Sequence, residues 1–411
     1  MIGPLLLAVG TLVAVASLQG QQYDLLLAGG HVIDPANQID GVMDVGIAGG
    51  RIASVATGIP RNAARKVVDV KGLWVTPGLI DVHTHVYGYS GSLLPDDTSL
   101  ITGATTVVDV GGAGWRTFDD FKAKIVDVSQ TRVFSFINIV GHGMLGPDFE
   151  SNVDDMDAGK TAAKIKQFPN VILGIKTAHF SRRGWTAVDR AVEAGVLSGK
   201  PVMVDSGILS NTGRNSRDEL LDHLRPGDIR THMYNDRQLE LIDRFTGAVH
   251  AYARQARERG VLFDTGHGDG SFLWPVATRA MAGGFPPDAI STDLHATSIM
   301  IPQASMPNCI TKLMSLGMSL QDAIARSTVN PARAIGRFPE LGTLGVNRTA
   351  DVSVFALRSG VFALKDSWGK KVLARHKLEC VMTLRDGKIV YDEDGLSRPL
   401  WTTAGDYGVI E

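Results

Sequence analysis

Cysteine is nearly absent. The 411 residues contain two, Cys309 and Cys380, too far apart to form a ligand pair, which argues against a thiolate zinc site. An excess of either charge is absent too, with 41 Lys and Arg against 43 Asp and Glu and a net charge of −2. Neither nucleic acid nor an anionic membrane surface is the expected partner. The chain has no short-period repeat and no low-complexity tract. Only one apolar run approaches membrane length, Leu5–Ala16, with small residues at Ala14 and Ala16 and no Lys or Arg before it. It has the form of a secretory signal peptide. Residues 1–20 are therefore expected to be a leader, and the mature chain to be periplasmic or secreted and free of membrane. An uncleaved anchor or a misplaced start, which would leave the chain cytoplasmic, are the alternatives.

What is present is glycine, 46 residues of it, and two different rhythms. Short alternating strands bounded by Gly or Pro occupy residues 22–75 and return over 345–400. Both ends are expected to join in one small β-domain, a β-sandwich. Between them, over 76–340, apolar runs alternate with amphipathic stretches of helical period. The runs are Leu79–His85, Thr105–Gly111, Val133–Gly141, Val171–His179, Pro201–Gly207, Asp228–Tyr234, Val261–Gly268 and Ala289–His295. Trp185–Ser198 and Leu239–Arg259 suit helices between them. Eight such units predict an α/β fold, a (β/α)8 TIM barrel.

Catalytic groups of such a barrel stand at the C-terminal ends of its strands. The first run, Val75-Thr-Pro-Gly-Leu-Ile-Asp-Val-His-Thr-His-Val86, delivers His83 and His85. Two residues apart on a strand, they share a face and make half of a divalent-metal site. Later runs deliver Lys176, Asp205, His232, His267, and Asp293 with His295. Taken singly, each has a structural explanation, such as a cap for Asp293 or a solvent-reaching amine for Lys176. Taken together, on consecutive strand ends, they point to a metal centre.

On Pro77-Gly-Leu-Ile-Asp-Val-His-Thr-His85, Gly174-Ile-Lys176, His232 and Ser291-Thr-Asp293, the sequence resembles the amidohydrolase superfamily, closest to its dihydroorotase-like and deacetylase-like branch. The resemblance implies one divalent metal on His83, His85 and Asp293. It implies a second, Zn2+ like the first or alternatively Mn2+, on His232 and a fifth-strand histidine. Lys176, carboxylated by CO2, would bridge the two, since an ammonium cannot ligate a cation. The fifth strand departs from the pattern with Asp205. This residue could ligate the second metal, bind substrate, or simply bond backbone.

The expected enzyme is a metallohydrolase of carbon–nitrogen (non-peptide) or ester bonds, of deacetylase or N-acyl-amino-acid type. Its metal-activated hydroxide attacks a small-molecule substrate while Asp293 shuttles the proton. His295, His267, His179 and Tyr234 are the substrate-binding candidates. Arg182, Arg183, His142 and Asp109 are weaker ones, and Asp81, Trp115 and Tyr87 suit structural roles. A cyclic amidase, a mononuclear deaminase and a non-catalytic metal or ligand binder are the competing functions. A homo-oligomer is compatible with the sequence, which does not fix the assembly.

Overall fold

Residues 21–205, 217–235 and 241–405 are described by the computed structural model; the leader-like run lies outside them. Val, Ile and Leu recurring between turn residues make five strands before residue 78. These are β1 (Tyr23–Asp34), β2 (Ile39–Ala48), β3 (Arg51–Ala56), β4 (Ala64–Asp69) and β5 (Trp74–Pro77). Seven more follow: β6 (Leu79–Thr84), β7 (Ala104–Gly114), β8 (Arg132–Asn138), β9 (Ile172–Thr177), β10 (Val202–Val204), β11 (Ile229–Arg230) and β12 (Leu262–Phe263). The chain closes with β13 (Val352–Lys365), β14 (Lys371–Arg385) and β15 (Lys388–Asp392).

Both chain ends share one sheet of order β15-β14-β13-β5-β1-β2-β3, with β4 beside β1. Leu25, Val32, Val45, Val75, Val352 and Leu384 are among its buried core. Polar contacts seam it to the barrel: the Ser353 hydroxyl donates to Gly103 O at 2.6 Å and the Thr383 hydroxyl to Leu100 O at 2.7 Å.

The barrel strands β6 to β12 lie side by side in chain order, all parallel. Helices cross between them, as parallel neighbours require. Thr186–Ser198 matches the expected helix; of the other only Ala251–Glu258 is helical, and residues 236–240 lie outside the described set. No described helix is long and apolar enough to cross a membrane.

The eighth run differs from expectation. Ala289–His295 forms no strand but closes the (β/α)8 barrel through two isolated parallel bridges, Asp264 to Ala289 and Thr84 to Leu294. Its carbonyls still accept backbone amides from both neighbours, Gly268 N to Thr292 O at 2.9 Å and His85 N to Leu294 O at 3.0 Å, but a side chain takes one of its amides. Thr292 N donates to Asp81 Oδ1 at 3.1 Å, and Asp293 turns left-handed with φ +49°. The sixth and seventh strands shorten for the same reason, because His232 at φ +58° and Gly266 at φ +45° turn the chain just past them.

Candidate metal centre

His83 and His85 leave the end of β6 on one face, as alternation requires. The segment that closes the barrel brings Asp293 to meet them. His85 Nε2 lies 2.9 Å and His83 Nε2 3.4 Å from Asp293 Oδ1. Among the described residues, this trio is the one group of His, Cys, Asp or Glu whose ligand atoms all fall within 4.8 Å of one another. Behind His83, the Thr231 hydroxyl donates to Asp264 Oδ2 and lies 2.8 Å from Nδ1. It therefore accepts from Nδ1–H, and the Nε2 lone pair faces the cleft. Burial holds the pKa of His83 well below its usual value and lowers that of His85. Both rings stay neutral, the form that ligates. His85 Nδ1 is buried with no hydrogen-bond partner. Two neutral imidazoles and a carboxylate converging through Nε2, Nε2 and Oδ1 fit a divalent ion.

Lys176, at the end of β9, is buried with Nζ 3.4 Å from His83 Nε2 and 3.9 Å from Met203 Sδ. Burial lowers its pKa, in spite of Asp205 and Asp293 nearby. Across the cleft, Asp205 follows β10 and meets two rings through one oxygen. His232 Nε2 is 3.5 Å and His179 Nε2 3.6 Å from Asp205 Oδ2. Burial would raise the Asp205 pKa, but these imidazoles and Lys176 hold it well below the carboxylate range. The structure thus brings His83, His85, Lys176, Asp205, His232 and Asp293 around one cleft.

The substrate-binding candidates divide. His295 stays at the rim, with Nδ1 2.7 Å from Asp293 O, beside Tyr89 and His85. Burial opposes its charge, yet Asp269 and Asp293 carry its pKa up to about 10. His179 is half-buried, held by Glu150 at 3.1 Å; Glu150 and Asp205 outweigh burial and raise it to about 9. His267 has no free ring nitrogen. Nδ1 contacts Gly268 O at 2.8 Å, and Lys312 Nζ donates to Nε2 at 2.7 Å. Tyr234 is not brought to the cleft: it is fully buried with no partner for its hydroxyl. The charges that act on it are Arg257, Arg326 and Asp288. The left-handed turn at His232 broke the alternation on which that expectation rested.

Arg182 and Arg183 are exposed, and His142 binds Asp155 at 2.9 Å. Asp81 and Asp109 accept backbone amides from Thr292 and Val86, respectively. Burial pushes each carboxyl up to about 7. Sequence reasoning missed Glu150, Tyr89 and Lys312. Lys312, on the helix Met306–Ser315, is wholly buried, and burial pushes its pKa down to about 8. A lysine inside a helix carries no local signal of this. Glu150 and Tyr89 sit in loop-rich stretches after strands, where only the fold brings them to the cleft.

Residues 276–390 match the amidohydrolase family. A deacetylase from Agrobacterium fabrum is 31% identical over 330 residues, 78% of this chain and 79% of that protein. The chain belongs to the amidohydrolase superfamily. Two solved structures share its architecture. An adenine deaminase superposes with a TM-score of 0.81 at 27% identity, covering 90% of this chain and all of that one. A dihydroorotase does so with a TM-score of 0.77 at 26% identity, covering 90% and 99%. Members of the amidohydrolase superfamily use divalent metals, and His83, His85 and Asp293 are this amidohydrolase's candidate ligands for one.

Proposed function

We propose that this amidohydrolase is a deacetylase that cleaves an amide or ester bond of a small N-acyl-amino-acid-type substrate. The convergence of His83 Nε2, His85 Nε2 and Asp293 Oδ1 carries the reading, and the similarity to a deacetylase over most of both chains supports its substrate class. His83, His85 and Asp293 would hold one divalent ion. Asp205 and His232 would help hold a second, with carboxylated Lys176 between. Two such ions, Zn2+ or Mn2+, would supply Lewis-acid polarisation of the scissile carbonyl and acidify water enough for it to ionise near neutral pH.

The chain's own residues do the rest. Burial shifts the Lys176 amine toward its neutral form, whose lone pair can attack the carbon of CO2 and release a proton. Asp293 accepts the proton of the attacking water and returns it to the leaving nitrogen or oxygen. Gly268 leaves this carboxylate room, since a Cβ there would stand 2.3 Å from Asp293 Oδ2. His295 and Tyr89 border the rim, where they would orient the substrate's polar end.

A cyclic amidase is the second reading, favoured by the likeness to a dihydroorotase. Turnover of N-acetyl amino acids, their esters, and dihydroorotate- or hydantoin-type rings, after loading with Zn2+, Mn2+ or Co2+, separates the two. The deacetylase reading expects open-chain amides to be cleaved fastest. Rings alone being cleaved would overturn it in favour of the amidase. No turnover on any amide or ester with metal bound would leave a non-catalytic binder.

A further inference from the structure

Just past β12 the chain makes a tight turn, Gly266-His267-Gly268, that touches several parts of the site at once. Gly266 O accepts from His232 Nδ1 at 2.6 Å. A Cβ on Gly266 would stand 2.3 Å from Thr231 Oγ1, the hydroxyl behind His83. Gly268 backs onto Asp293, where a Cβ would stand 2.3 Å from Oδ2, and its amide donates to Thr292 O at 2.9 Å. Both glycines are left-handed, with φ +45° and +51°. Glycine permits that conformation but does little to hold it. The residue between them must supply the rigidity.

His267 is wholly buried, and its ring stacks on Phe272 with centroids 4.7 Å apart and planes 6° from parallel. Lys312 Nζ donates to its Nε2 at 2.7 Å. Nδ1 therefore carries the ring's hydrogen and donates to Gly268 O at 2.8 Å. The imidazole is clamped between the helix Met306–Ser315 and the turn.

We propose that Lys312 and His267 are positioning residues that lock the Gly266–Gly268 turn and thereby set Asp293, His232 and Thr231 for metal binding and proton transfer. This assignment rests on the metal reading above.

The surroundings of Lys312 support it. Among the described residues its hydrogen-bond partners are His267 Nε2 and, at 3.3 Å, Pro302 O, with no carboxylate between them. A buried ammonium without a carboxylate is costly, and an apolar side chain of similar length would fill the space at less cost. Fold stability gives no reason for a lysine here, whereas orienting His267 does. Phe272, on the ring's other side, is pinned in turn by Ser367, between β13 and β14. Ser367 N donates to Phe272 O at 3.0 Å, and the Ser367 hydroxyl accepts from Phe272 N at 3.1 Å. The clamp thus draws on the composite sheet as well as the barrel.

The test compares ion affinity with stability in the full chain. Lys312→Met keeps the side chain's length and deletes its hydrogen bond. His267→Phe keeps the stack on Phe272 and deletes both ring nitrogens, while His267→Asn retains a donor near the place of Nδ1. Calorimetric Zn2+ titration reads the first ion, on His83, His85 and Asp293, and thermal melts at neutral pH read stability. Lys312→Met and His267→Phe should each weaken that ion by about 10–100-fold. Turnover of an N-acetyl amino acid should fall at least ~10-fold with KM within about twofold of wild type, the mark of a misplaced group. His267→Asn should recover most of both. Lys312→Met should melt no lower than the wild type, because it removes a buried charge. Affinity lost from a protein that stable separates positioning from support of the fold. If His267→Phe fails to fold, as circular dichroism would reveal, Lys312→Met decides. Wild-type ion affinity and turnover in folded Lys312→Met would overturn the proposal and leave the hydrolase reading standing. An affinity loss that merely tracks a lower melting temperature would overturn it too. A wild type that binds no divalent ion would overturn the metal reading and the proposal together. The expected affinity losses without turnover of any amide or ester would support the positioning role and count against the hydrolase reading alone.

Discussion

Thr231 Oγ1 lies 2.8 Å from His83 Nδ1 and turns the imidazole's other nitrogen toward Asp293. The hydroxyl is itself committed to Asp264, so the proton on Nδ1 is fixed by a carboxylate one residue removed. Thr231→Val keeps the shape and deletes this relay. First-ion affinity should fall by about 10–100-fold. Calorimetric Zn2+ titration measures it, and an unchanged dissociation constant would refute the relay.

Asp293→Asn tests the proton shuttle. Asparagine tolerates left-handed backbone as aspartate does, so the φ of +49° at this position is no obstacle to folding. Turnover should drop by about 10²–10⁴-fold with the melting temperature nearly unchanged. Activity within a few-fold of wild type would exclude Asp293 as the shuttle.

Gly268→Ala should injure the same carboxylate without touching it chemically. The added methyl would meet Asp293 Oδ2 at 2.3 Å, and the backbone there has φ +51°. Asp293 must move off His85, so both first-ion affinity and turnover should fall at least ~10-fold, an effect of a misplaced group. Wild-type kinetics in this variant would contradict the tight approach.

Lys312 makes stability depend on alkaline pH. Burial lowers its pKa from 10.5 to about 8, so between these values the unfolded chain binds the proton that the folded chain has released. Stability should therefore rise with pH across that window. Below pH 8 the wild type carries the full cost of a buried charge. Relative to Lys312→Met, it should gain on the order of 3 kcal/mol between pH 8 and 10.5. Urea unfolding of both proteins at several pH values reads the difference, and a flat difference would refute the lowered pKa.

The barrel and the composite sheet were legible because their signals are periodic: apolar runs for parallel strands, alternation between turns for the sheet. His83, His85, Lys176, Asp205, His232 and Asp293 were legible because ionisable groups interrupt those runs at their ends, and the cleft gathers all six. Tyr234 misled because parity counting assumes extended backbone, and His232 at φ +58° is not extended. The eighth strand misled for a related reason. Asp81, 211 residues away from Thr292, takes the amide that a ladder would have used. Glu150 was invisible because its value lies in what it stands behind.

The β5–β13 pairing also constrains the order of assembly. β5 offers its second edge to β13 over Trp74–Pro77 and Val352–Phe355, and Thr76 meets Ser353 across 277 residues of chain. During synthesis that edge stays open until the whole barrel has left the ribosome. Loop closure over such a span is slow, and open strand edges recruit other chains. The nascent protein thus carries an unfinished sheet for most of its translation, and the C-terminal strands act as the latch that ends this exposure.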